Sequence, residues 1–541
     1  MKINKLTYLS LFAVLTISLS GNAQSKDKFT AKKGKLSEND LKRWSHLDLE
    51  KDSVPGMSVD KAYKELLKNK KGVKVIVGIV DSGVDIEHED LKTTAWTNKK
   101  EIPGNGVDDD KNGYIDDVHG WNFLGNITKE HLEYERILNN KALVDDATFN
   151  EAKAQNDKKM DEARGAKPQV EQVMNMTTKA DEILVKFLGK PTYTLDDLKG
   201  ISSTDKDVLQ SKAIMQQMFG YGMSIPDLKK EIKKEYDGFT TVLDGSNLTT
   251  NYRTALGDNP EDIKDKKYGD SNVMGPDKQE ILHGTHVAGI IAQIRNNDKG
   301  GDGIADNVEI LTVRAVPDGD EYDKDIALGI RYAVDNGAKV INGSFGKSFS
   351  PHKQWVFDAL KYAESKDVLF VHAAGNDAKD IDVENNFPND SADKKTEFVD
   401  NVITVGALNF EYGDKMVADF SNYGKLNVDV FAPGVKIYAS TPNNSYQFLQ
   451  GTSMASPNVA GVAALIRSYY PNLTAKQVKH ILMESGTAIS NDVVVGGDSK
   501  DVRPFATLSK SGKIVNAYNA LIMAEKLSKT SKIPTKSKKK K

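Results

Sequence analysis

At 541 residues the chain exceeds one average domain, although a single domain can reach this length by carrying insertions. Hydrophobic residues at 39% and charged residues at 28% suit a soluble globular protein, and the absence of cysteine excludes disulfides, thiol catalysis and a lipid-modified N-terminal cysteine. The formal net charge of −3 is unevenly spread: "SKTSKIPTKSKKKK" (528–541) holds seven lysines and no acid, which leaves about −10 elsewhere and argues against nucleic acid as the main partner.

The N-terminus reads as an export address. "MKINK" supplies positive charge, "LTYLSLFAVLTISL" an apolar core, and Gly21-Asn22-Ala23 the small residues of a cleavage site after Ala23. The protein is therefore expected in the periplasm or outside the cell. No later segment approaches the roughly 18 consecutive apolar residues of a spanning helix, so no stable membrane insertion is expected. Residues 24–43 form a short polar segment. "WSHLDLEKDSVPGMSVDKAYKELL" (44–67) opens the main domain, which is expected to run to 527, before the Lys-rich tail. That tail is read as a solubilising disordered end, with a nucleic-acid or membrane-surface contact as its alternative.

"VKVIVGIV" (73–80) is a β-branched run ending at Asp81 and predicts a buried parallel strand. "DDDKNGYIDD" (108–117) then places Asp108, Asp110 and Asn112 at alternate positions of a loop turned by Gly113, with the Tyr114 carbonyl and Asp116 further round. Hard oxygen ligands around a glycine turn suit Ca²⁺ in a structural role. The glutamate that usually closes such a loop is absent, since residue 119 is His, so an ordinary acidic turn stays open as the alternative.

Residues 126–266 are rich in Lys, Glu and Asp, and Val170, Val173, Ile183, Leu184 and Phe187 recur at helical spacing. Further helical stretches near 204–219 and 226–236 make this a mostly helical insertion. After residue 280 strands and helices alternate. "VEILTVRAV" (308–316), "KVING" (339–343), "VLFVHAA" (368–374), "VITVGAL" (402–408) and "VDVFAP" (428–433) read as strands. Helices are expected over 325–337, 352–365 and 455–470. The fold class is therefore α/β, a doubly wound parallel sheet with helices on both faces.

Three segments carry chemistry. Asp81 ends a strand in "GIVDSGVD", His283 starts a helix in "HGTHVAGI", and Ser453 starts another in "GTSMASP". Each alone has an ordinary reading as a turn, packed or cap residue. Together, in the order Asp, His, Ser, they supply the carboxylate, base and nucleophile of a serine hydrolase. His286, three residues after His283, reads as a packed or hydrogen-bonded helix residue. A zinc site lacks HExxH, cysteine and a third clustered ligand.

On "VGIVDSGVD" (77–85), "HGTHVAG" (283–289), "GTSMASPNVAG" (451–461) and "HAAGND" (372–377), the chain resembles the subtilisin-like serine proteases, the subtilases of peptidase family S8. The likeness covers about 50–125 and 267–485 and leaves the helical insertion outside. It implies a subtilisin-like fold and a secreted endopeptidase acting on protein or peptide, with Asp81, His283 and Ser453 as catalytic triad. Asn376 and the Ser453 amide would form the oxyanion hole, and an acyl-enzyme would be the intermediate. No cofactor is needed for that chemistry. It also implies that Ser344-Phe345-Gly346 pairs with the substrate backbone. Tyr322 in "DGDEYDKD" would border a side-chain pocket, with Asp318, Asp320 and Glu321 as an acidic rim or merely a solvated loop.

Only residues 24–80 separate the signal from Asp81, so no full inhibitory prodomain is expected. The insertion is open to several readings: chaperone, lid, substrate-recruiting surface or plain spacer. An inactive binding protein on this fold, and a transacylase using the same triad, are the competing functions. Natural substrate and oligomeric state are not legible.

Overall fold

The computed structural model describes residues 29–220 and 223–531. The expected export signal and most of the Lys-rich tail lie outside the described residues. The described chain forms two compact units, one of residues 134–251 and one of the remainder.

The larger unit is built on a sheet that begins with β1 (Val75–Asp81), β2 (Gly120–Asn122), β3 (Val308–Arg314), β4 (Val340–Gly343), β5 (Leu369–Ala373), β6 (Val402–Leu408) and β7 (Val430–Pro433). β8 (Ile437–Thr441) and β9 (Ser445–Leu449) form a separate hairpin, as do β11 (Asp492–Val495) and β12 (Asp498–Pro504). β10 (Thr487–Ala488) and β13 (Lys513–Ile514) complete a nine-stranded sheet of order β10-β13-β7-β6-β5-β4-β1-β3-β2. Every pairing in it is parallel except β10 with β13.

The continuous apolar runs follow from burial on both faces. Val75, Val77 and Ile79 of β1 join one core cluster, whereas Val80 joins the other. Along β4 and β5 the same alternation sends Val340, Leu369 and Val371 to one side and Ile341 and Phe370 to the other. The first face is covered by helices Leu282–Ala292 and Thr452–Tyr469, and the second by helices Asp323–Asp335 and Lys353–Ser365. Trp44, Leu49, Val54, Met57 and Val59 are buried in the first cluster, as are Ala517, Ala520, Leu521 and Ala524 near the other end. Among the described residues no helix is long and apolar enough to cross a membrane.

β1 leads outward to β3, and the chain then returns to β4 on β1's other side. The strand order therefore reverses around β1, and the crevice beyond the carboxyl ends there is where ligands bind in open parallel sheets.

The smaller unit is helical. Its helix Asp146–Leu188 is capped by the Asp145 side chain and ends at Gly189 in the left-handed region, as a C-terminal glycine allows. With helices Lys206–Phe219 and Ile225–Asp244 it closes a small core of Leu184, Leu198, Val208, Met215, Leu228 and Ile232. Val170, Val173 and Ile183 are partly buried against that core, but Phe187 is 46% exposed, so the helical spacing overreached by one residue. The unit is also narrower than the 126–266 expected from composition. Glu130, Glu133 and Arg253 are charged yet buried, because they pair within the larger unit, and composition cannot distinguish a buried ion pair from a solvated face.

Candidate active site

β1 carries Asp81 to the carboxyl edge of the sheet, where its side chain is 1% exposed. Asp81 Oδ1 accepts the Ser82 amide proton at 2.7 Å and lies 2.7 Å from His283 Nδ1. Since that oxygen faces the ring as an acceptor, Nδ1 is the donor and Nε2 keeps its lone pair as a base.

The approach of the two elements depends on glycine. A Cβ at Gly284 would lie 2.1 Å from Gly83 O and 3.1 Å from Asp81 Oδ1, and Gly83 itself has φ +110°. The helix bearing His283 can therefore touch the turn after Asp81 only with hydrogen at position 284. Arg314, paired in register with Asp81, donates from Nε to Ser82 O at 3.1 Å and holds the turn from behind.

His286 is fully buried, with Nε2 3.1 Å from both Ile437 O and Gln447 O. Burial lowers its pKa to about 4, so the ring is neutral and Nε2 donates to those carbonyls. The two histidines of the motif are thus in different surroundings, one half-exposed beside a carboxylate and one sealed under the β8–β9 hairpin.

Ser453 is the second residue of helix Thr452–Tyr469, and its hydroxyl donates to Ser344 O at 3.3 Å. Pro457 lies four residues on and has no N–H, so Ser453 O cannot receive its helical bond. The Ser344 hydroxyl donates to that carbonyl instead, at 2.9 Å. Ser344 and Ser453 are thereby tied twice, by two oppositely directed bonds.

Asn376 meets the same helix start. Its Oδ1 accepts from Thr452 N at 2.8 Å and from Thr452 Oγ1 at 3.0 Å, while Thr452 Oγ1 accepts from Gly375 N at 3.0 Å. With the carbonyl side of the amide committed, Nδ2 is the end turned away from Thr452. Met454 N bonds Gly451 O, so among the described residues the Ser453 N–H is the first-turn donor left for a ligand. Nδ2 and this amide, with the positive end of an 18-residue helix, suit a developing oxyanion.

Of the expected substrate-pairing residues, Ser344 and Phe345 are buried and Gly346 is exposed. Phe345 O is held from beneath at 2.8 Å by His372 Nε2, a buried histidine on β5 whose pKa burial lowers to about 4. Lys347 exchanges main-chain bonds with Phe387, at 3.0 and 2.9 Å. Tyr322 precedes helix Asp323–Asp335, its ring 4.2 Å from the Arg253 guanidinium. The acidic rim expected beside it is corrected in part. Glu321 is 2% exposed, and burial raises its pKa to about 8, so it adds no charge to the surface.

The acidic loop is rearranged relative to the sequence reading. Asp108, Asp110 and Glu101 place one carboxylate oxygen each within 4.8 Å of one another. Glu101 lies outside the alternating pattern, and nothing in the loop's spacing signals it. Asp116 instead accepts the amides of Gly104, Asn105 and Gly106. The Tyr114 ring packs on Trp121 and Tyr332, and Asn112 donates to Asp117 and accepts from the Tyr114 amide. Three carboxylates at that separation fit the hard-oxygen donor set of Ca²⁺, with Asp108 and Asp110 retained from the expected ligands.

A family model described as the subtilase family matches residues 72–505. A thermophilic serine proteinase of Bacillus sp. (strain AK1) is 40% identical over 240 residues, covering 44% of this chain and 52% of that protein. Subtilisin DY of Bacillus licheniformis is 37% identical over 221 residues, covering 40% of this chain and 73% of that protein. Among solved structures, a protease of Pseudoalteromonas arctica PAMC 21717 is 31% identical with a TM-score of 0.37, over 45% of this chain and 70% of that one. The chain thus spans about half the length of the first of these relatives.

Proposed function

The chain belongs to the subtilase family, and from that premise we propose that it is an exported serine endopeptidase acting through Asp81, His283 and Ser453. The observation that carries this reading is the meeting of Asp81 and His283, 202 positions apart, at 2.7 Å beyond the end of β1.

Ser453 gives up its bond to Ser344 O and passes its proton to His283 Nε2 as Oγ attacks the peptide carbonyl. Asp81 holds the ring tautomer and stabilises the imidazolium that forms. Asn376 Nδ2 and the Ser453 amide bind the oxyanion; loss of one such donor costs on the order of 100-fold or more in rate. His283 then protonates the leaving amine, and water, deprotonated by the same ring, releases the acyl group. The substrate backbone lies along Ser344–Gly346 as an added strand, so main-chain bonds supply affinity and side-chain pockets selectivity.

Calcium is proposed as a structural ion on Glu101, Asp108 and Asp110, where it would neutralise clustered carboxylates and take no part in turnover. Equilibrium dialysis on the Asp108→Ala/Asp110→Ala variant tests it, since undiminished binding removes the assignment. The protease reading is tested with a fluorophosphonate probe and a mixed peptide library. Wild type is expected to label at Ser453 and to cleave, and Ser453→Ala to do neither. Folded wild type that fails to label would leave a binding protein on this fold.

A further inference from the structure

The chain leaves the larger unit after Glu133 and returns to it at Tyr252. Glu133 and Arg253, at or beside the two crossings, are buried and ionically anchored, and both anchors converge on one segment, Asp320–Asp325. On the outgoing side the Glu133 amide donates to Asp320 Oδ2 at 2.7 Å, and Glu133 Oε2 accepts from Lys347 Nζ at 2.6 Å. The same ammonium lies 2.9 Å from Asp323 Oδ1 and donates to Glu321 O at 2.7 Å, with Lys347 only 6% exposed.

On the returning side Arg253 makes two-pronged contacts with Asp325, both at 2.8 Å, and with Asp258, at 2.9 and 2.8 Å. The Tyr268 hydroxyl adds a 2.6 Å bond to Asp325, and the Arg253 guanidinium lies over the Tyr322 ring. Tyr322 therefore sits in a segment held by Lys347 through its neighbours Glu321 and Asp323, and by Arg253 through Asp325 and its own ring. Lys347 is also the residue after Gly346, in the segment that follows β4 and touches Ser453 through Ser344.

A fork-shaped guanidinium and a buried ammonium with two carboxylates are rigid joints, because any displacement strips a desolvated charge of its partner. Their placement links three parts of the larger unit: the segment after β4 beside the nucleophile, the segment Asp320–Asp325 that holds Tyr322, and the two points where the chain leaves for and returns from the helical unit.

We propose that Lys347 and Arg253 are positioning residues that set the width of the cleft for the part of an extended peptide lying before the scissile bond, so that the attachments of the helical unit serve substrate selection. The proposal rests on the protease reading. It assigns these residues no contact with the reacting atoms, and their loss should weaken the binding of long substrates more than acylation.

The test compares kcat/KM for a fluorogenic peptide with six residues before the scissile bond and one with two. Lys347→Met and Arg253→Lys are each expected to lower the long-to-short ratio about tenfold, through KM, because a small misplacement of a positioning wall is costly. Lys347→Arg should recover most of the loss. Since Lys347→Met leaves two carboxylates without their cation, Tyr322→Ala is measured alone and with Arg253→Lys, neither of which leaves such a charge unpaired. Strong non-additivity on the long peptide is the expected result. Equal losses on both peptides, or additive effects of Tyr322 and Arg253, would overturn the proposal. Wild type unreactive to fluorophosphonate would instead overturn the protease reading beneath it.

Discussion

At the scale of the residue, two histidines three positions apart are assigned different work by their surroundings. His283→Ala is expected to lower kcat on the order of 10⁶-fold with the melting temperature little changed, a magnitude measured in a relative, subtilisin. His286→Ala should act through stability, costing about 1–3 kcal/mol, with residual turnover in the folded fraction. Equal loss of kcat in two well-folded variants contradicts that division. His286 also predicts a pH dependence. Its folded pKa of about 4 lies below the 6.5 of a free imidazole, so between those values the unfolded state binds more protons. Its contribution is complete above pH 6.5 and falls by about 1.4 kcal/mol per unit as the pH drops toward 4. Glu321 and Asp390, raised by burial to about 8 and about 7, run in the opposite direction. The measurement is therefore wild type against His286→Gln by urea unfolding across that window, and a constant difference between them counts against the assignment.

Elements meet at the site through small, specific allowances. Gly284→Ala would drive a methyl into Gly83 O. It is expected to cost about 1–3 kcal/mol and, by moving His283 off Asp81, about 100-fold or more in kcat; wild-type kinetics in that variant would show that the two elements are not in close apposition. The start of the Ser453 helix offers a sharper test. Ser344→Ala leaves Ser453 O, a partly buried carbonyl, without its donor, a loss of about 1 kcal/mol. Adding Pro457→Ala restores an N–H four residues on, and the double variant should recover most of that stability. Thermal or urea unfolding decides it, since strictly additive losses would mean that the Ser344 hydroxyl is not compensating for the proline.

For the whole molecule, the calcium proposed on Glu101, Asp108 and Asp110 would stabilise a large sheet that has no disulfides. At a free concentration about 100 times its dissociation constant, an ion bound only to the folded state adds about 2.7 kcal/mol. Chelation should lower the melting temperature of wild type and leave that of Glu101→Gln/Asp108→Asn nearly unmoved. An equal shift in both would place the ion elsewhere.

Apolar runs along the chain marked β1 and β3 to β7, because burial on both faces demands them, and spacing of three to four marked helices buried on one face; β2, β10 and β13, two or three residues each, are too short to leave such a run. Local chemistry marked Asp81, His283 and Ser453, since each stands at a strand end or helix start in a short segment of glycines and small residues, whereas Asn376 was marked only by the resemblance of "HAAGND" to the subtilases. What crossed between segments was not legible. Glu101 lies outside the loop pattern, Asp116 turned to backbone amides, and the anchors Lys347 and Arg253 look in sequence like any other surface charge. The bond from Ser344 to the carbonyl orphaned by Pro457 is equally invisible, 109 positions separating its partners. Sequence spacing encodes which face of an element is apolar, whereas the pairing of a buried charge or an orphaned carbonyl depends on distances that exist only once distant segments have packed.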